Sequence, residues 1–205
     1  MKLYLSSYRL GNNPQLLVDL VSKNKRVAII PNALDFSTDS KRVNAGINRE
    51  KDDMKKLGFQ PEEFDLKNYF GKPRKFEKDI SLYGLLWIIG GNVFLLIKAM
   101  RQSGMDKWLI KQKNNNKLVY AGYSAGVCVL SPSLKGLEIV DKPVKVKGYP
   151  SKTIWDGIGI INWSFAPHYK SKHIESEKVN NLIEYYTNNK IFYKALSDGE
   201  VIIEK

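Results

Sequence analysis

Three short apolar runs constrain the fold more than any other feature of the chain: Arg26-Val-Ala-Ile-Ile30, Gly84-Leu-Leu-Trp-Ile-Ile89 and Leu118-Val-Tyr-Ala121. None alternates apolar with polar residues, so each reads as a strand buried on both faces, the pattern of a parallel sheet covered on both sides. Longer segments of helical period separate them. The fold class is therefore α/β, three-layer, a mostly parallel sheet flanked by helices.

The remaining elements fit around that frame. Residues 2–5 read as a first strand, 14–21 as a helix and 41–57 as a helix with apolar positions Val43, Ile47, Met54 and Leu57, ended by Gly58. A strand is expected near 63–66, helices over 93–100 and 106–113, a strand over 158–165 and an amphipathic helix over 171–187. Residues 192–196 and 201–204 read as a terminal hairpin around Asp198-Gly199. Between residues 131 and 156 the pattern dissolves around Pro132, Pro143 and Pro150, and no role is assigned to that segment. With neither repeat nor linker, residues 1–205 are expected to form one domain.

Composition narrows the function. Hydrophobic residues make up 43% of the chain, too many for a disordered one. No apolar run approaches the roughly 20 residues that cross a bilayer, and the N-terminus lacks a signal-peptide core, so a cytoplasmic protein is expected. One cysteine, Cys128, excludes an internal disulfide, and two histidines leave few ligands for a metal, so no metal and no cofactor are expected. The 33 basic against 21 acidic residues give a net charge of +12. The lysines are scattered among acidic residues and Asn, and no helix-turn-helix, zinc or RNA-binding pattern accompanies them. Neither a nucleic acid nor a membrane is expected as partner.

The chemistry concentrates at strand ends. Gly122-Tyr-Ser-Ala-Gly126 follows the third run directly, the spacing of a nucleophile elbow in which small neighbours let a serine hydroxyl stand exposed on a sharp strand-to-helix turn. A tight turn whose glycines serve packing alone has the same spacing. A serine alcohol needs a base, normally histidine, and a carboxylate to orient it. His168, in Ala166-Pro-His-Tyr169, follows a strand and so belongs to the sheet edge that carries Ser124; His173 falls in the first turn of the next helix, where a solvated histidine is the ordinary expectation. For the acid, Asp198 follows another strand, while Glu138 and Asp141 lie between serine and histidine in chain order. Cys128 reads as a small buried hydrophobe.

Trp87-Ile-Ile-Gly-Gly-Asn92, Ala121-Gly-Tyr-Ser-Ala-Gly126 and Ala166-Pro-His-Tyr169, in this order and spacing, resemble the peptidase E (aspartyl dipeptidase) family, a relative of cyanophycinase with a class I glutamine amidotransferase-like, flavodoxin-like sheet. The resemblance spans nearly the whole chain except residues 131–156. It implies Ser124 as nucleophile, His168 as base, the Gly91 and Ala125 amides as oxyanion hole and Asn92 as support for the glycine turn. Val93 stands where the family usually has threonine. The cyanophycinase pattern puts the acid at Asp198, the favoured assignment; the peptidase E pattern leaves Glu138 or Asp141 as the alternative. The implied function is hydrolysis of short peptides, dipeptides with N-terminal Asp, through an acyl-enzyme, with a short acidic peptide as partner and a homodimer as the assembly considered. A catalytically inactive amidotransferase-like binding or regulatory protein is the rival reading.

Overall fold

The computed structural model describes residues 1–205. In chain order its elements are β1 (Lys2–Ser6), α1 (Gln15–Leu20), β2 (Arg26–Ile30), α2 (Ser40–Lys56), β3 (Gln60–Glu63), α3 (Pro73–Ile80), β4 (Leu85–Ile88), α4 (Val93–Ser103), α5 (Met105–Lys111), β5 (Val119–Tyr123), α6 (Ala125–Cys128), β6 (Ser164–Ala166), α7 (Ser176–Asn188), β7 (Tyr193–Ala195) and β8 (Val201–Glu204). Six strands form the main sheet in the order β3-β2-β4-β5-β1-β8, all parallel except β8. The class expected from the three apolar runs is the one observed.

Those runs are β2, β4 and β5, and each is buried almost throughout because apolar layers lie on both faces. One face carries the larger core, where α4 packs with Phe76, Leu86, Ile88, Phe94, Tyr120 and Leu182; the other is the smaller cluster of Leu17, Val27, Ile47, Met54, Trp87 and Val119 beneath α1 and α2. Helix α4 is buried along nearly its whole length, and its ends are fixed locally. The Asn92 side chain accepts the Leu95 N–H at 3.0 Å, and Gly104 takes a left-handed φ of 84° where the chain turns into α5.

Four sequence expectations need correction. The strand expected near 63–66 lies earlier, as β3 over Gln60–Glu63, because Leu66–Tyr69 turns into a 3₁₀ segment capped by Asp65. Residues 192–196 and 201–204 do not form a hairpin: β7 runs parallel to β6, with Ala166 opposite Ala195, while β8 pairs antiparallel with β1, with Leu5 opposite Ile202. The Asp198-Gly199 turn carries the chain from one sheet to the other, and β8 covers the edge of β1 that would otherwise be unpaired. The strand expected over 158–165 is confined to Ser164–Ala166, because the Ile158 and Ile160 amides bond the carbonyls of Val129 and Leu130 after α6. The helix expected from 171 begins at Ser176, after a run of turns that carries His173 and Glu175.

Residues 131–156 contain no strand. They wrap the α4 side through the Leu134 amide on the Trp155 carbonyl at 2.7 Å, the Trp155 ring against Phe94 at 5.4 Å, and the Asn92 amide nitrogen donating to the Lys142 carbonyl at 2.8 Å. Parallel strands end together, so Ser7, Gly90–Gly91 and Ser124 meet on one edge of the sheet.

Candidate active site

Ser124 stands between β5 and α6 with φ 49° and ψ −116°, a backbone conformation that costs a non-glycine residue on the order of 1–3 kcal/mol. Its neighbours show why the chain accepts it. A Cβ on Gly126 would lie 2.7 Å from the Ile88 carbonyl oxygen, so only glycine lets α6 start this close to β4. The Tyr120 hydroxyl ties the turn from below by donating to the Gly126 carbonyl at 2.5 Å, and the Ser124 amide donates to the Ser6 carbonyl of β1 at 3.3 Å. Ser124 is thereby held on the edge by three adjacent strands.

Two amides without a protein acceptor lie near Ser124, the Gly-Gly turn so close that a Cβ on Gly90 would stand 3.2 Å from Ser124 Cβ. Ala125 opens α6, where an N–H has no partner within the helix. Gly91 has φ 145° and its amide bonds no protein acceptor; a Cβ there would lie 2.6 Å from the Ala33 carbonyl oxygen. Asn92 keeps this turn in place by capping α4 and by its bond to Lys142.

His168 arrives from the end of β6 and is buried to 1% exposure, with φ 62°. Its Nδ1 lies 2.7 Å from Asp198 Oδ1, the carboxylate that follows β7. The parallel pairing of β6 with β7 produces this meeting. Ser7, at the end of β1, serves both partners: its Oγ accepts the His168 amide at 2.8 Å and lies 3.0 Å from Asp198 Oδ1, to which it can donate. The Asp198 amide in turn donates to Ser171 Oγ at 2.7 Å. Burial lowers the His168 pKa most, opposed by the Asp198 hydrogen bond, so the imidazole is held below its ordinary value and is neutral at pH 7. Ser124 and His168 share no direct hydrogen bond; catalytic contacts of this kind are often long until substrate tightens them.

The other candidate acids are occupied elsewhere. Glu138 accepts the Gly136 amide at 2.7 Å, and Asp141 accepts the Val93 amide at the start of α4 at 2.8 Å. Asp141 nonetheless faces the site. With Ser124, Cys128, Val140, Pro167 and Glu175 it lines a small niche of about 20 Å³ beside the serine. Burial, reinforced by the Glu175 charge and opposed by the Val93 N–H, pushes its pKa up to about 7. Cys128 is buried as expected, and burial pushes its thiol up.

His173 is not the solvated residue its sequence position suggests. Its ring stacks on His168 with centroids 3.7 Å apart and planes 9° from parallel, and Tyr8 closes against both rings. Beyond Tyr8 a cleft of about 720 Å³ opens along the strand ends, lined by Phe36, Arg42, Arg49, Ile89 and Tyr123. Glu50 lies buried in its floor, accepting the Trp87 indole N–H at 3.0 Å and lying 3.4 Å from Arg9. A cavity of about 1110 Å³ opens around Asn24, Gly84 and Leu118 at the opposite edge of the sheet, away from these groups. Sequence reasoning missed Ser7, Tyr8, Glu50 and Glu175. Only Ser7 carried a signal, its place at the end of a parallel strand.

The chain is similar to known peptidases in sequence and in fold. The model of peptidase family S51 matches residues 6–204. An uncharacterized peptidase of Listeria monocytogenes is 27% identical over 88% of this chain and 82% of its own length, and peptidase E of Streptomyces coelicolor is 26% identical over 56% of this chain and 46% of its own. Among solved structures, a candidate peptidase E protein from Listeria monocytogenes superposes with a TM-score of 0.75 at 22% identity, covering 100% of this chain and 98% of that one. A peptidase from an acI-B1 actinobacterium does so at 0.69 and 15%, covering 100% and 83%. No helix is long and apolar enough to cross a membrane. The chain belongs to peptidase family S51, the peptidase E family, and is a serine-type peptidase.

Proposed function

We propose that this peptidase hydrolyses short peptides, above all dipeptides with N-terminal Asp, by acyl transfer through Ser124, His168 and Asp198. The observation that carries the reading is the His168–Asp198 pair at 2.7 Å on the sheet edge where Ser124 is held in its strained turn. His168 Nε2 takes the Ser124 proton as Oγ attacks the peptide carbonyl. The Gly91 and Ala125 amides hold the oxyanion, and His168 returns the proton to the departing amine. Water, deprotonated by the same nitrogen, then releases the acyl group and frees Ser124. Asp198 holds Nδ1–H and stabilises the imidazolium.

The charges around Ser124 support a short substrate with a free N-terminus. A niche of about 20 Å³ admits a group the size of water, and an α-ammonium facing Asp141 and Glu175 meets that limit where a side chain does not. The side chain of the same residue then takes the open cleft, where Arg42 and Arg49 offer charge to a carboxylate. The net charge of +12 draws an acidic peptide in from long range. A single buried cysteine suits a cytoplasmic location.

A fluorophosphonate probe tests the nucleophile and a panel of X-Leu dipeptides tests the substrate. Rapid labelling at Ser124 with highest turnover of Asp-Leu is expected. Absence of labelling would reject the activated serine, and equal turnover of Asp-Leu and Lys-Leu would reject the acidic preference.

A further inference from the structure

Both histidines of the chain meet one carboxylate. Glu175 Oε2 lies 3.9 Å from His168 Nε2 and 3.8 Å from His173 Nδ1, and one ligand atom from each of the three residues falls within 4.8 Å of the others. The two rings are the only cationic-capable groups within ion-pair distance of Glu175. Two imidazole nitrogens with one carboxylate oxygen form a donor set that suits zinc and its neighbours and is a poor match for magnesium or calcium.

The surroundings are those of a supported ligand. His168 Nδ1 faces Asp198, so the pair already has the carboxylate–histidine arrangement that fixes a metal-binding imidazole with Nε2 outward. Asp198 is itself held through Ser7 and Ser171. Tetrahedral zinc, with bonds of about 2.0–2.2 Å, needs its ligand atoms roughly 3.3 Å apart. The Glu175 contacts must shorten by roughly half an ångström, the two imidazole nitrogens must close from a separation of up to 4.8 Å, and the rings must splay from their stack. The parts that must move are the less buried ones: His173 and Glu175 occupy turns before α7, with side chains 24% and 31% exposed. His173 gives up one long bond in the process, from the Glu175 amide to its Nδ1 at 3.3 Å.

We propose that His168, His173 and Glu175 form an inhibitory site for a divalent transition metal, zinc in particular. The metal takes the Nε2 lone pair that deprotonates Ser124 and the carboxylate that faces the substrate ammonium, so zinc and substrate exclude each other. The inhibition rests on the function proposed above; the metal binding does not.

The experiment titrates zinc chloride into Ser124→Ala protein by calorimetry, and cobalt(II) into the same protein while its visible spectrum is read. His173→Phe keeps an aromatic ring on His168 but removes the donor nitrogen, and Glu175→Gln removes the anionic oxygen. One zinc per chain with micromolar or tighter affinity, an intense tetrahedral cobalt band, and a loss of at least about tenfold in affinity in each variant are expected. In wild-type enzyme, zinc should raise the apparent KM for Asp-Leu without lowering kcat, and a chelator should reverse this. Absence of zinc binding, binding that both substitutions leave unchanged, or stimulation of hydrolysis by zinc would overturn the proposal. Failure of wild-type enzyme to turn over any dipeptide would instead reject the proposed substrate, with the calorimetric and cobalt arms still deciding the metal site.

Discussion

Asp198 Oδ1 lies 2.7 Å from His168 Nδ1 across 30 positions of sequence, because β6 and β7 run parallel and end together. Neither Glu138 nor Asp141 makes that contact; both accept backbone amides elsewhere. Asp198→Asn is expected to lower kcat by about 10⁴, the scale seen when a triad carboxylate is replaced by its amide. Glu138→Gln should leave kcat near wild type and Asp141→Asn should act on KM. A normal kcat for folded Asp198→Asn, checked by near-UV circular dichroism, would remove Asp198 from the mechanism.

Ser124→Ala should abolish hydrolysis by several orders of magnitude while leaving the fold intact. The strained φ of 49° adds a stability prediction. Ser124→Gly relieves that strain, so its melting temperature should equal or exceed that of Ser124→Ala although glycine adds freedom to the unfolded chain. A markedly lower value for the glycine variant would show that the turn is not strained.

Ser7 Oγ accepts the His168 amide at 2.8 Å and lies 3.0 Å from Asp198 Oδ1, which makes it the residue expected to position the pair. Its replacement by alanine should lower kcat about tenfold, the equivalent of roughly 1.4 kcal/mol, with KM little changed. Ser7→Thr keeps the hydroxyl and should restore most of the loss. Equal kcat losses in both variants would point to backbone disturbance instead.

The stacking of His173 on His168 at 3.7 Å makes its side chain part of the wall around the His168 ring. His173→Ala should lower kcat by several-fold, on the order of one lost aromatic contact of about 0.5–1.5 kcal/mol, and His173→Phe should lose less. Steady-state kinetics of the two variants decide whether the ring or its nitrogens matter for turnover.

Asp141 predicts a pH dependence of stability. Its pKa of about 7 in the folded protein stands above the value of about 3.9 in an unfolded chain, so between these the folded state holds a proton that the unfolded state releases. This contribution is full below about pH 4 and is lost as pH rises toward 7. Asp141→Asn stays neutral throughout, so its melting temperature relative to wild type should rise steadily from pH 4 to about 8. A difference that does not change with pH would show that the carboxyl is ionised throughout the folded protein's range.

The sequence by itself determined the parallel sheet, because β2, β4 and β5 are runs of local composition that have no stable alternative to burial on both faces. It also determined the places of Ser124 and His168, since a turn that directly follows such a strand lies on its carboxyl end, and such ends share an edge. Tertiary structure decided the rest. Residues 192–196 and 201–204 are as compatible with a hairpin as with separate sheets, and their fate depended on which edges were left unpaired, a property of the assembled fold. The same long-range choice placed Asp198, and not Glu138 or Asp141, beside His168. His173 and Glu175 carry no pattern of their own, and Ser7 carries only its place at the end of β1. They reach His168 because loops from different strands converge on one edge, and convergence of that kind is set by packing across the sheet rather than by neighbours along the chain.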